Sequence, residues 1–81
     1  MSWPKEKDRN PHVAYVIYDT EHSRYIRFIA GEPKYIEMPP DLCYATMFPT
    51  AQRAYQKMDN TNFSDFGVSF INLLVKKVIL G

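Results

Sequence analysis

The sequence predicts a small α+β domain, in which an antiparallel sheet of about four strands (β-β-β-α-β) carries one helix on one face. Three short segments rich in β-branched and aromatic residues come first, separated by turn residues. A segment follows whose apolar residues recur at the spacing of one helical face, and the last segment of the sequence is an apolar run. The 81 residues suffice for one domain. We place that domain at residues 13–81, behind a polar, proline-containing flexible arm at residues 1–12.

The first three segments have the composition of strands. Residues 13–18, VAYVIY, are β-branched, aromatic or alanine, and residues 24–30, RYIRFIA, resemble them. The turn DTEHS between them is short and rich in side chains that bond their own backbone, so we expect an antiparallel hairpin. The turn GEP then leads to a third strand at residues 34–38. Pro39 and Pro40 end that strand, because neither can donate to a ladder.

A helix is predicted over residues 51–58, after a corner formed by residues 41–48. Thr50 is its N-cap, because the threonine hydroxyl can accept from an unpaired amide of the first turn. The apolar residues of the segment recur at the spacing of one helical face and should close the core. They are Ala51, Ala54, Tyr55 and Met58.

The last segment, residues 68–80 with the sequence VSFINLLVKKVIL, fits two kinds of element. Its β-branched content and short length favour a strand that is apolar on both faces. The alternative is a helix that stacks its apolar residues on one side and stops at Gly81. We predict the strand.

Composition and charge limit the classes of partner and the compartment that we expect. Ten basic and nine acidic side chains leave a net charge of +1, which does not indicate nucleic acid or a membrane surface as the partner. The single cysteine, Cys43, cannot form an internal disulfide, so we expect a reducing cytoplasm. The longest apolar run, FINLLV, is too short to span a bilayer, and the amino-terminal residues lack the apolar stretch of a signal peptide.

No set of side chains predicts catalysis, a metal site or a cofactor. His12 borders the arm and His22 lies in a turn, so we expect both to be solvated. Cys43 is a formal nucleophile, but a small buried apolar cysteine is the role we predict for it. The segment DNTNFSD has oxygen ligands spaced a little like a calcium loop, yet it lacks the central glycine and the terminal glutamate.

The sheet face opposite the helix is the predicted site. In residues 13–18 both alternating sets are apolar, and one helix can cover only one face. Contiguous exposed apolar surface usually marks an interface, so we predict a protein-binding module, with a homodimer as one form of it. The alternative is that the arm or the loop DNTNFSDF covers that face. Tyrosine and arginine dominate interface energetics. The expected site residues are Tyr18, Arg24, Tyr25, Arg27, Phe28, Tyr35 and Phe70.

Single-stranded nucleic acid is the alternative partner. The stretch RYIRFI sets Arg24 and Arg27 among Tyr25 and Phe28, and sheets that stack bases combine aromatic and arginine side chains in this way. In a regular strand, however, the two arginines point to opposite faces. We therefore rank nucleic acid below protein.

The stretches AYVIYDTEHSRYIRFI and KYIEMPPDLCYATMFPTAQRAYQKM, followed by an apolar strand, resemble a class of small proteins carried by phages and other mobile elements. The chain departs from that class at Tyr35, where a tryptophan-bearing strand is common, and at Ser23, where the turn often has glycine. The matching positions are the Asp-Leu turn, the Ala-x-x-Phe step and the capped helix start. They are Asp41, Leu42, Ala45, Phe48, Thr50 and Ala54.

Because the matched positions are structural, the resemblance implies a fold and no active residues. It also implies a genomic setting, in a phage or another mobile element. Small phage proteins of this kind often bind a host protein and disable or redirect it, and inhibitors of host defence such as anti-CRISPR proteins are among them. The expected partner is then a host or phage protein in the host cytoplasm.

Overall fold

The computed structural model describes residues 12–30 and 35–80 of the chain. The predicted arm, apart from His12, and the predicted GEP turn lie outside these residues. The α+β class is confirmed. The described residues form five strands and one helix, with the bounds β1 (Val13–Asp19), β2 (Arg24–Tyr25), β3 (Arg27–Ile29), β4 (Tyr35–Glu37), α1 (Ala51–Asp59) and β5 (Leu73–Ile79). Among the described residues, 3₁₀ turns at Leu42–Tyr44, Phe63–Phe66 and Phe70–Asn72 connect them.

The strands form an antiparallel three-stranded sheet in the order β2-β1-β5, and β3 and β4 form a separate antiparallel pair. Strand β1 is central and pairs with β5 along its whole length, from Val13 opposite Ile79 to Asp19 opposite Leu73. On its other side β1 pairs with only two residues of β2. The chain therefore builds two small sheets where the sequence predicts one.

The predicted second strand, residues 24–30, divides at Ile26 because its hydrogen-bond partners change there. The amide of Ile26 still donates to the carbonyl of Ile17 in β1. Two residues later, the amide of Phe28 donates instead to the hydroxyl of Thr46, at 2.8 Å. The chain thus leaves β1, and Phe48 takes over as the partner of Tyr15 through two backbone hydrogen bonds.

The predicted helix and its cap are confirmed. Thr50 accepts from the amide of Arg53 at 3.2 Å, and the helix extends one residue beyond the predicted end. Ala54 and Met58 are buried, as the stripe predicts. Tyr55 was expected in that stripe but is 54% exposed. It is turned by about 100° from Ala54 around the helix, so its ring lies outside the buried face.

The core lies between α1 and the face of β1 that carries Ile17. Phe63 and Val68, from the segment after the helix, close it, and Ile26 completes it beside β1. Gly67, at the end of the 3₁₀ turn before Val68, has φ +73°, a left-handed conformation that glycine adopts without steric cost.

Two further predictions meet different outcomes. The strand interpretation of the last segment is confirmed for Leu73–Ile79, while Phe70–Asn72 before it forms a 3₁₀ turn. Cys43 was expected to be buried and is exposed. It lies in the 3₁₀ turn Leu42–Tyr44, which contains no buried residue, and the neighbouring Ala45 is the buried small residue of this corner.

Candidate functional site

The two faces of β1 are both partly covered. Ile17 faces α1, and we call this the helix side. Because side chains alternate along a strand, Val16 and Tyr18 belong to the opposite face, the far side. Val16 is 0% exposed and Ala14 is 5% exposed, so the expectation of an open far side is wrong at its centre.

Lys76 gives part of the physical reason for that burial. It lies directly opposite Val16 in the pairing of β5 with β1. Its ammonium group lies 4.3 Å from the centre of the Tyr18 ring. The aliphatic stem must therefore cross the far side between these positions, and such a stem covers apolar surface while its charge stays hydrated.

Two predicted site residues, Tyr18 and Tyr25, do lie together on the far side. They are opposite each other across β1 and β2, and Leu74 is opposite Tyr18 on β5. We call Tyr25, Tyr18 and Leu74 the tyrosine row. The two rings meet edge to face with centres 5.0 Å apart, and the ammonium of Lys76 lies within 5.9 Å of both centres. Such ring and cation contacts order the row.

The two predicted arginines belong to different sheets and do not converge. Arg24 in β2 donates to the carbonyl of Met38 at 3.3 Å. Arg27 in β3 forms an ion pair of 3.6 Å with Glu37 on β4. Both side chains are exposed, so these two contacts contribute little to the stability of the fold. Neither arginine flanks the tyrosine row as a second cation.

The remaining predicted residues are placed in three different ways. Phe28 packs at the core, with its ring edge-on to Phe48 and Phe63 at 6.1 Å from each. Tyr35 pairs with Ile29 through its backbone, and its side chain lies outside what the structure describes. Phe70 is 51% exposed in the turn that leads into β5.

The main group of exposed apolar side chains lies on the last element, and sequence reasoning named only Phe70 among them. We call this group the C-terminal ridge. Its members, with their exposed fractions, are Phe70 (51%), Ile71 (88%), Leu74 (38%), Ile79 (68%) and Leu80 (51%). The signal in the sequence was the last strand itself, which is apolar on both faces. An edge strand cannot bury both.

The backbone at the outer edge of β5 is also open. Amides of Thr20 and Leu80 donate to the carbonyls of Asn72 and His12, respectively, so even-numbered residues of β5 bond to β1. The amide and carbonyl groups of Val75, Lys77 and Ile79 must then point away from β1. Within residues 12–30 and 35–80, no hydrogen bond to these outward groups is found.

The β1–β2 turn is organised by a buried carboxylate. One oxygen of Asp19 accepts from the amides of Glu21 (2.9 Å) and His22 (3.4 Å), and the other lies 2.6 Å from Nδ1 of His22. That last hydrogen bond raises the pKa of His22 above its usual 6.5. Polar atoms of Asp19, Glu21 and His22 lie within 4.8 Å of one another, the spacing of a metal site. Both oxygens of Asp19 are occupied in forming the turn, which accounts for this grouping.

A cleft of about 540 Å³ lies between the β3–β4 pair and the end of α1. Its floor includes the rings of Phe28, Phe48 and Phe66. Lys57 lines one part, with its ammonium 5.2 Å from the Phe28 ring. Asp65 lines another and accepts from the side-chain amide of Asn62 at 3.1 Å. The cleft has room for one apolar side chain or a small ligand.

Comparisons with protein-family models, with curated proteins and with solved structures find no match. Within the described part of the chain, no helix is both long enough and apolar enough to cross a membrane.

Proposed function

We propose that the protein is a non-catalytic protein-binding module that contacts its partner through the C-terminal ridge and the adjoining tyrosine row. The supporting observation is the ridge. Of the nine large hydrophobic residues that are exposed in the described part of the chain, five lie between Phe70 and Leu80. Such a concentration of apolar surface on one element is typical of an interface.

The energetics favour this function. Burying one large apolar side chain contributes about 1.5–3 kcal/mol, and the ridge offers several. Association itself costs about 4–15 kcal/mol in lost freedom. Leu74 and Ile79 lie on a strand already held by β1, and the other members of the ridge lie in the segments directly before and after it, so little backbone ordering is added to that cost. The ring contacts of the tyrosine row hold Tyr18 and Tyr25 in place in the same way.

The partner we propose is a host or phage protein. The resemblance to small phage-borne proteins supports a role as an inhibitor of a host protein, including a defence protein, or as an accessory factor. The single cysteine supports a reducing compartment, so we expect the encounter in the host cytoplasm.

Replacing one exposed aromatic residue on the ridge and one off it tests the function. Phe70→Glu places a charge on the ridge, and Tyr55→Glu places the same charge on α1 at a nearly equal exposure, 54% against 51%. Each tagged variant captures proteins from a phage-host lysate. We expect Phe70→Glu to weaken capture at least about tenfold and Tyr55→Glu to leave it unchanged. Equal capture by the two variants, both folded, would overturn the proposal.

The tyrosine row also supports a second candidate, binding of single-stranded nucleic acid. Two tyrosine rings with a lysine ammonium over them offer a surface on which bases can stack. A fluorescent oligonucleotide titrated at low and at moderate salt separates the candidates. Affinity that falls steeply with salt indicates phosphate contacts, and no binding at low salt removes this candidate.

A further inference from the structure

We propose that the partner on the open edge of β5 is a second copy of the same chain. The two β5 strands pair antiparallel about a two-fold axis at Val75, and two three-stranded sheets join into one of six strands. This inference rests on the proposed protein-binding function, because the C-terminal ridge supplies its side-chain contacts. It takes a second copy of the chain, in place of the host or phage protein, as the partner at this edge, and it gives the register of the contact.

The backbone supplies the first argument. Val75, Lys77 and Ile79 direct their amide and carbonyl groups outward, and the described residues provide no partners for them. A second β5, running antiparallel, presents the same outward groups at the same spacing. The pairing is self-complementary, as a two-fold contact requires.

The lysines select the register. In a two-fold pairing, a residue at the axis faces its own copy. An axis at Lys76 or at Lys77 would set two ammonium groups directly opposite each other, which is destabilising. An axis at Val75 instead sets Lys76 opposite Leu74 and Lys77 opposite Leu73. Of the three central positions of β5, Val75 alone separates the charges.

The same register matches the exposed side chains. Paired residue numbers then add to twice 75, so Ile79 of one copy comes level with Ile71 of the other, and Leu80 with Phe70. These four are 68%, 88%, 51% and 51% exposed in the single chain. The two-fold axis repeats both contacts. The end of β5 in each copy thus meets the 3₁₀ turn of the other, and the ridge is buried against itself.

The assembly is closed. After pairing, the outer strand at each end of the six-stranded sheet is β2, which is only two residues long. So short an edge gives a third copy little to pair with, and an isologous contact does not propagate. The expected product is a dimer and not a fibre.

Removing a single outward amide tests the edge. Lys77→Pro deletes the amide that would donate to Leu73 of the other copy, without touching a bond to β1. Lys77→Ala removes the same side chain and keeps the amide, so it is the matched control. Light scattering over a dilution series should show a dimer for the wild type and for Lys77→Ala. For Lys77→Pro we expect a dissociation constant raised roughly 30-fold, because the two-fold axis doubles the lost hydrogen bond.

A charge exchange tests the register and does not depend on the folding of the proline variant. Ile71→Glu alone and Ile79→Lys alone should each weaken the dimer at least about tenfold, because each buries an unpaired charge. The double variant should recover most of that loss, because the new carboxylate at position 71 of one copy would then meet the new ammonium at position 79 of the other.

Each of these results supports or overturns one part of the proposal. A wild type that stays monomeric at high micromolar concentration overturns the dimer, and so does equal dimerisation of Lys77→Pro and Lys77→Ala when both are folded. If Lys77→Pro is unfolded, the charge exchange decides: no recovery in the double variant overturns the register. Failure of the dimer leaves the proposed function standing if Phe70→Glu still reduces lysate capture relative to Tyr55→Glu. Equal capture by those two variants removes the proposed function itself.

Discussion

Strands β1 and β5 have the same length and similar apolar character but differ in burial. Each spans seven residues, and they are paired along their whole length. In β1, Val16 and Ile17 are both 0% exposed although they face opposite sides of the sheet. In β5 no residue is fully buried, and exposed positions outnumber half-buried ones.

Position in the sheet explains the difference. Strand β1 has β5 on one edge and, on the other, β2 and then Phe48, so its backbone is paired on both sides. Strand β5 has β1 on one edge, and on the other edge none of the described residues pairs with it. Two segments of similar composition therefore differ in environment. The central strand is buried at its middle, and the edge strand keeps apolar side chains exposed.

The largest effect is expected when one isoleucine of each strand is replaced by alanine. Ile17→Ala in β1 should lower the free energy of unfolding by about 2–5 kcal/mol, because it leaves a cavity in the core. Ile79→Ala in β5 should lower it by less than about 1 kcal/mol in the monomer, because that side chain is already 68% exposed. Urea denaturation at low protein concentration measures both. Equal losses would refute the contrast between the strands.

Asp19, at the end of β1, should give the next largest effect. Asp19→Ala removes the buried acceptor for two amides and the His22 ring, so we expect a loss of about 2–4 kcal/mol in the free energy of unfolding. Asp65→Ala, at an exposed carboxylate, is the control and should cost far less. A loss below about 1 kcal/mol for Asp19→Ala would show that the turn does not depend on this carboxylate.

A gain in stability is expected at Ser23, in the same turn. Ser23 has φ +55°, a left-handed conformation that is costly for any residue with a Cβ atom. Ser23→Gly should raise the free energy of unfolding by about 0.5–1 kcal/mol, since relief of that cost outweighs the extra freedom of glycine in the unfolded chain. Thermal denaturation would show a higher midpoint, and a lower midpoint would contradict the expectation.

The smallest effect concerns pH, because the His22 ring is exposed. The hydrogen bond to Asp19 raises the pKa of His22 in the folded state above 6.5. A raised folded pKa means that this contact stabilises fully below about 6.5 and that its contribution is lost as the pH rises through the folded pKa. His22→Gln should remove that part of the pH dependence. An NMR titration giving a His22 pKa below 6.5 would contradict the assignment.

Local patterns predicted the elements well. The Thr50 cap, the helix that follows it and the strand character of the last segment depend on neighbouring residues, and the structure confirms them. The break at Ile26 was not predictable, because it depends on a hydrogen bond from Phe28 to Thr46, 18 residues away. The residues next to Ile26 in the sequence do not predict a contact at that distance along the chain.

The candidate site was less predictable than the fold. Tyr18 and Tyr25 were expected on one surface and are in contact there. Phe28 was expected to be a site residue like them, but its ring packs against the core. The exposure of Ile79 follows from the position of β5 at the edge, which strand order decides and a single sequence does not reveal.

Amide hydrogen exchange along β5, measured at millimolar and at low micromolar protein concentration, tests the central claim most directly. We predict that the amides of Leu74, Lys76 and Val78 are protected at both concentrations, because they bond to β1. The amides of Val75, Lys77 and Ile79 should be protected only at the higher one, where a second β5 covers the open edge. Outward amides that exchange at the same rate at both concentrations would contradict the account.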